Sequence, residues 1–112
     1  MKRSDVYYIN DIKKCITSIE NYLLEIKNKA DFFNNERMQK LMIYEIMIIG
    51  EAASKISMET KRNNPQIEWR LLSDMRNFLI HQYHDVCNDI VWATVNRDIP
   101  KLKEYIYSIK FQ

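Results

Sequence analysis

Ile9, Ile12, Ile16, Ile19, Leu23 and Ile26 follow one another at steps of three, four, three, four and three. A β-strand cannot use that pattern, because its side chains change face at every residue. An α-helix places all six on one stripe. Ser4 or Asp5 stands where the cap of such a helix belongs. Tyr8, Cys15 and Tyr22 recur every seven residues and widen the stripe, while Lys13, Lys14, Glu20 and Glu25 fall on the solvated side. One glycine and two prolines in 112 residues leave few places where helices can break. An all-α chain with short turns is the expectation.

After a break at "ADFFNNE", a second helix is expected from about Asn35 to Met58. Its middle, Leu41 to Ile49, is apolar nearly all round, apart from Glu45. A helix with no polar side has to be buried on most of its surface, and in a small domain a second subunit is one way to bury it. Gly50, Ala52, Ala53 and Ser54 follow, small enough for another backbone to come close. A mid-helix glycine costs about 1 kcal/mol relative to alanine, which points to a packing reason for Gly50. "KRNNPQIEW" is the clearest break, and a third helix starts near Ile67 or Trp69 with Leu72, Met75 and Leu79 inward. A turn at "HDVCND" leads to a short helix around Ile90 to Val95, anchored by Trp92. In "RDIP", Asp98 is read as a cap and Pro100 as a first-turn residue of a last helix carrying Ile99, Leu102, Ile106 and Ile109. The expected architecture is one domain over residues 1–112, an antiparallel bundle of four main helices plus a short one.

With 46% hydrophobic and 29% charged residues, the composition is that of a globular chain. A net charge of +2 gives no bulk signal for nucleic acid, so any RNA contact has to be local. Cys15 and Cys87 form no CxxC pair and match no zinc spacing, which fits a reducing, cytoplasmic compartment. The N-terminus has no signal-peptide core, and the best apolar run, "LMIYEIMIIG", is short and holds a glutamate; no membrane span is expected. The tyrosines Tyr7, Tyr8, Tyr22, Tyr44, Tyr105 and Tyr107 are read as core or interface residues and Cys87 as a buried or half-buried one. Glu45 has two readings: it reaches a rim or pairs with a basic side chain, or it is a buried carboxylate near a dimer cleft, facing Arg76.

The polar residues gather in "RNFLIHQY", residues 76–83. Arg76 and Tyr83 share a face of a regular helix, and Asn77 and His81 share the neighbouring one. Arg76 and His81 are about 140° apart. They converge only if the helix distorts near His81 or a second copy approaches. A guanidinium suited to phosphate and an imidazole able to give and take a proton would then share a site. Taken alone, an Arg and a His near a helix C-terminus are more often dipole partners than a site. His81, His84 and Asp85 suggest a metal, but there is no third histidine and no nearby cysteine pair, so no metal site or cofactor is assigned.

"RNFLIHQY" resembles the Arg-x4-His-x-Tyr signature of HEPN-domain ribonuclease toxins of the HepT type. "IIGEAASKIS", "IEWRLLSDMRNFLIHQYHDV" and "IVWATVNRDIPKLKEYI" resemble that family's flanking segments, in the same order, over about Leu41 to Ile106. The resemblance implies a homodimeric HEPN-like bundle whose two motif helices line a cleft at the interface. It implies a metal-independent RNA endonuclease, the toxin of a toxin–antitoxin pair, silenced when a minimal nucleotidyltransferase antitoxin transfers AMP to the motif tyrosine. Carried over, Arg76 and His81 are catalytic, Asn77 supports them, and Tyr83 is the AMP acceptor. The alternative is a non-catalytic nucleotide- or RNA-binding partner of such a nucleotidyltransferase. A purely structural dimerisation bundle is the third reading.

Overall fold

The computed structural model describes residues 1–82 and 86–110, and they are all-α. The helices are α1 (Arg3–Leu24), α2 (Lys29–Phe33), α3 (Glu36–Lys55), α4 (Met58–Asn63), α5 (Trp69–His81), α6 (Asn88–Ala93) and α7 (Ile99–Tyr107), with a π-helical turn, Thr94–Asp98, joining α6 to α7. The four main helices of the expected bundle are α1, α3, α5 and α7. α3 lies between α1 and α5, and α7 packs on α1. No helix among the described residues is long and apolar enough to cross a membrane.

The stripe on α1 is buried as its spacing requires: Ile9, Ile12, Ile16 and Ile19 are fully covered. The helix stops at Leu24, and Ile26 reaches the core from the turn beyond it. The start of α1 differs from the expectation. Asp5 is the third helical residue rather than the cap. Its Oδ2 accepts from the Lys2 backbone N–H at 3.2 Å. The same carboxylate, buried, accepts from the Ser57 backbone N–H at 2.8 Å, the Ser57 hydroxyl at 2.6 Å and the Thr60 hydroxyl at 2.7 Å. It pins the first turn of α1 to the junction of α3 and α4. Burial alone pushes this carboxyl upward, but the hydrogen bonds from Ser57, Thr60 and Lys2 outweigh it and hold Asp5 below its ordinary value.

The second helix is not continuous to Met58. It ends at Lys55, Ile56 turns extended and buries its side chain, and Ser57 caps the separate α4. α4 also absorbs residues 61–63 of the expected break. The "ADFFNNE" segment holds a short helix too: Asn28 caps α2 by accepting from the Asp31 N–H at 2.9 Å. α2 sends the fully buried Phe32 against Trp92, with ring centroids 5.3 Å apart. Trp92 is thus the anchor that its size suggests.

Asp98 is no cap. Its backbone is helical, φ −78° and ψ −38°, inside an unbroken run from α6 to α7. Pro100 has no N–H to offer the carbonyl one turn back, and its ring crowds that turn. A widened π turn ahead of it relieves the crowding. Thr94 and Asn96 satisfy neighbouring carbonyls with their side chains, on Ile90 at 2.8 Å and Trp92 at 2.9 Å.

Candidate functional site

The site is built where α5 crosses α3. Trp69 starts α5; it is buried, and its indole N–H donates to the Asn64 carbonyl at 3.0 Å. Leu79 is fully buried further along, with Leu72 and Met75 packed against the core between them. That inward stripe fixes the rotation of α5. Gly50 fixes its distance from α3. A Cβ at Gly50 would stand 2.5 Å from the Arg76 Cβ and 2.6 Å from the Leu72 carbonyl oxygen. Both are far inside ordinary contact distance, so the packing reason expected for this glycine is present.

Arg76 therefore leaves α5 at the closest approach of the two helices, and its side chain is 24% exposed. Nη1 donates to Glu51 Oε2. Nε and Nη2 both donate to Asn77 Oδ1, at 3.2 and 2.8 Å. The other Glu51 oxygen meets Lys55 Nζ at 3.4 Å, and Lys55 in turn lies 5.9 Å from the centre of the Tyr8 ring on α1. Hydrogen bonds from Arg76 and then Lys55 hold the Glu51 carboxyl below its ordinary value.

His81 is the last residue of α5 and is exposed. The Gln82 N–H closes the helix on the Phe78 carbonyl at 2.8 Å. α5 runs as a regular α-helix from Trp69 through His81. A distortion that would swing His81 towards Arg76 is therefore missing up to that residue. Among the described residues Arg76 is linked to Glu51 and Asn77, and not to His81. Tyr83, with His84 and Asp85, lies outside the described residues.

Glu45 is buried, 8% exposed, as the second reading has it, but it faces α1 and not Arg76. There it lies against Cys15 and Tyr22. Burial first, and the Glu45 carboxylate second, push the Cys15 thiol up to about 12 and raise the Tyr22 phenol. The carboxylate that meets Arg76 is Glu51. Its sequence signal is slight: an acidic residue just after the one glycine, on the outer face of α3. Cys87 is exposed, not buried, because it precedes α6 outside the packed layer. Among the described residues no three His, Cys, Asp or Glu side chains gather as a metal site.

The surface of α3 and α5 is partly apolar. Tyr44 on α3 and Phe78 and Ile80 on α5 are exposed, and Leu41, Met47 and Ile48 are only partly covered. One chain thus leaves part of the apolar girth of α3 uncovered.

The family model described as "Ribonuclease HepT-like" matches residues 12–109. The chain belongs to the HepT-like ribonuclease family. The "Probable ribonuclease HepT" of Thermococcus cleftensis is 42% identical over 103 residues, covering 92% of this chain and 93% of that one. A protein of Methanocaldococcus jannaschii, "Gamma-glutamylcyclotransferase and putative RNase", is 38% identical over 109 residues, which are 97% of this chain but 49% of the relative. A "Putative RNase" of the same organism is 28% identical over 105 residues, 94% of this chain and 95% of the relative. No solved structure gives a significant match. The HepT-like membership agrees with the resemblance carried by the Arg76-to-Tyr83 motif, and the all-α bundle is HEPN-like as expected.

Proposed function

We propose that this HepT-like chain is a ribonuclease, a metal-independent RNA endonuclease whose active cleft forms between two copies of α5. The observation that carries the reading is the clamped guanidinium of Arg76 on the same short helix as an exposed His81, in a chain whose relatives are named as ribonucleases. On one regular helix the two residues point about 140° apart, so a second copy is needed to bring an imidazole opposite the cation. The apolar surface left at Tyr44, Phe78 and Ile80 supports pairing of two copies.

In the proposed reaction the RNA supplies its own nucleophile. One imidazole takes the proton of a 2′-hydroxyl, the oxygen attacks the adjacent phosphorus, and the bond from phosphorus to the 5′-oxygen breaks. The second imidazole gives that leaving oxygen its proton. The products are a 2′,3′-cyclic phosphate and a free 5′-hydroxyl. Two His81 side chains, one per copy, fill the base and acid roles. Arg76 neutralises charge on the non-bridging phosphoryl oxygens. Asn77, whose Oδ1 accepts from both Nε and Nη2, keeps the guanidinium plane oriented.

In this reading the chain is the toxin of a pair, and a minimal nucleotidyltransferase is its antitoxin. AMP placed on Tyr83 would bring a phosphate and added bulk to the cleft edge, and like-charge exclusion would keep RNA out. The test compares wild type with His81→Ala and Arg76→Ala on labelled RNA, with and without EDTA. The expected result is cleavage to cyclic-phosphate ends in EDTA by wild type only, with unchanged circular dichroism for all three. Cleavage retained by His81→Ala refutes the mechanism, and no cleavage by wild type favours the non-catalytic partner. For the modification, Tyr83→Phe co-expressed with the nucleotidyltransferase should gain no AMP by mass spectrometry. AMP gained at the wild-type level excludes Tyr83 as acceptor.

A further inference from the structure

The ribonuclease reading assigns no role to Glu51. We infer that Glu51 is a positioning residue of the same site: it sets the Arg76 guanidinium in the orientation from which it meets an RNA phosphate. The inference rests on the ribonuclease reading for its substrate and on geometry for the residue.

Three features distinguish this ion pair from the others on the surface. The first is its origin. Gly50 lets α3 and α5 touch, so Arg76 begins at the contact itself, and Glu51 is the next residue along α3. The second is burial. It belongs to the cation: the Arg76 side chain is 24% exposed against 47% for Glu51, whereas both members of the i,i+4 pair Arg70–Asp74 are more exposed, 95% and 64%. A pair exposed like Arg70–Asp74 contributes little.

The third is how the donors are divided. A guanidinium has five N–H groups. Asn77 takes Nε and one hydrogen of Nη2, and Glu51 takes one hydrogen of Nη1. One N–H on each terminal nitrogen is left to donate to a phosphate oxygen. Asn77 alone would hold one edge and leave the plane free to swing about it. The carboxylate on the other side removes that freedom. Glu51 is itself held, by Lys55 at 3.4 Å, and Lys55 leans on Tyr8 of α1. The orientation of the cation is thus referred to two other helices.

A negative charge beside a phosphate site opposes binding, so Glu51 has a signature that a merely structural residue lacks. Losing it should lower kcat while leaving KM unchanged or lower. Misplacing a group that acts on the transition state costs up to about a hundredfold. The experiment measures steady-state cleavage of a short labelled RNA by full-length wild type, Glu51→Ala and Glu51→Gln. It also measures the Arg76 Nε–H resonance by 15N NMR and its exchange with water. The expected results for Glu51→Ala are a kcat about ten- to a hundredfold lower, no rise in KM, and faster Nε–H exchange. Glu51→Gln, which keeps an acceptor, should recover part of both. Wild-type kcat with an unchanged Nε–H resonance in Glu51→Ala overturns the inference. So does a faster variant with lower KM, which would make the carboxylate a competitor for the cation. Absence of cleavage by wild type sinks the ribonuclease reading instead, and the NMR comparison still decides whether Glu51 orients Arg76.

Discussion

Replacing Gly50 with alanine adds one methyl at the tightest point between α3 and α5. In free space the change should help, since alanine is better in a helix interior by about 1 kcal/mol. Here the new Cβ would meet the Arg76 Cβ at 2.5 Å and the Leu72 carbonyl oxygen at 2.6 Å. Neither obstacle is the far end of a flexible side chain, so the helices must part by about 1 Å to reach normal contact near 3.5 Å. Overpacking of this kind costs about 1–3 kcal/mol. With two contacts under 3.0 Å the cost falls at the upper end of that range, about 2–3 kcal/mol, so after the propensity gain of about 1 kcal/mol the net loss is about 1–2 kcal/mol, or a Tm lower by roughly 5–10 °C in a domain of this size. Thermal melts followed at 222 nm give the stability. The same displacement carries Arg76 outward, and RNA cleavage should fall by much more than the unfolded fraction accounts for, up to about a hundredfold. A Gly50→Ala protein as stable as wild type or more so would refute the close contact. A destabilised one with full activity per folded molecule would refute the link between that contact and the site.

Asp5→Ala removes an acceptor of four hydrogen bonds and leaves the part-buried Ser57 and buried Thr60 donors without it, which should cost about 2–4 kcal/mol in urea unfolding. Because the folded carboxyl lies below its ordinary value, its contribution is present above the unfolded value near about 4 and fades as pH falls through the folded one. The gap between wild type and the variant should therefore narrow in acid, and a gap that widens would contradict the assignment. With the Cys15 thiol at about 12 and buried, and Cys87 exposed, Ellman's reagent at pH 8 should titrate one thiol per native chain and two after denaturation. Prompt reaction of both in the native protein would contradict the burial.

The helical class and the inward faces were legible because they depend on periodicity. The isoleucines of α1, the Leu72-to-Leu79 stripe of α5 and the Trp92 anchor all follow from spacing or size. The misreadings fall where a residue's role depends on a distant segment. Asp5 looks like a local cap, yet three of its bonds go to Ser57 and Thr60, more than 50 positions away. Ser57 sits in what reads as one apolar helix, but its capping of α4 ends that helix early. Asp98 and Pro100 copy a start signal inside an unbroken helix, because a π turn absorbs the proline. At the candidate site the resemblance pointed to Arg76 and His81 by motif. Glu51 was missed as the partner of Arg76 because crossing geometry between helices is not written in either helix alone. Glu45, in the apolar run, drew attention that its place against Cys15 and Tyr22 does not support.

The π turn has a consequence for how this chain tolerates change in length. Val91 ahead of it, Val95 within it, and Ile99, Leu102 and Ile106 beyond it are all buried. A π turn holds one residue more than an α turn over the same stretch of axis. Removing exposed Asn96 or Arg97 would let the turn close to an α turn and leave the inward face of α7 where it is. New strain would fall at Pro100, whose ring the wide turn accommodates. Removing one residue from the middle of α7 would instead rotate every later side chain by about 100° and carry Ile106 out of the core. The segment therefore holds slack in the helical register: one residue can be lost there without rephasing the helix that closes the bundle.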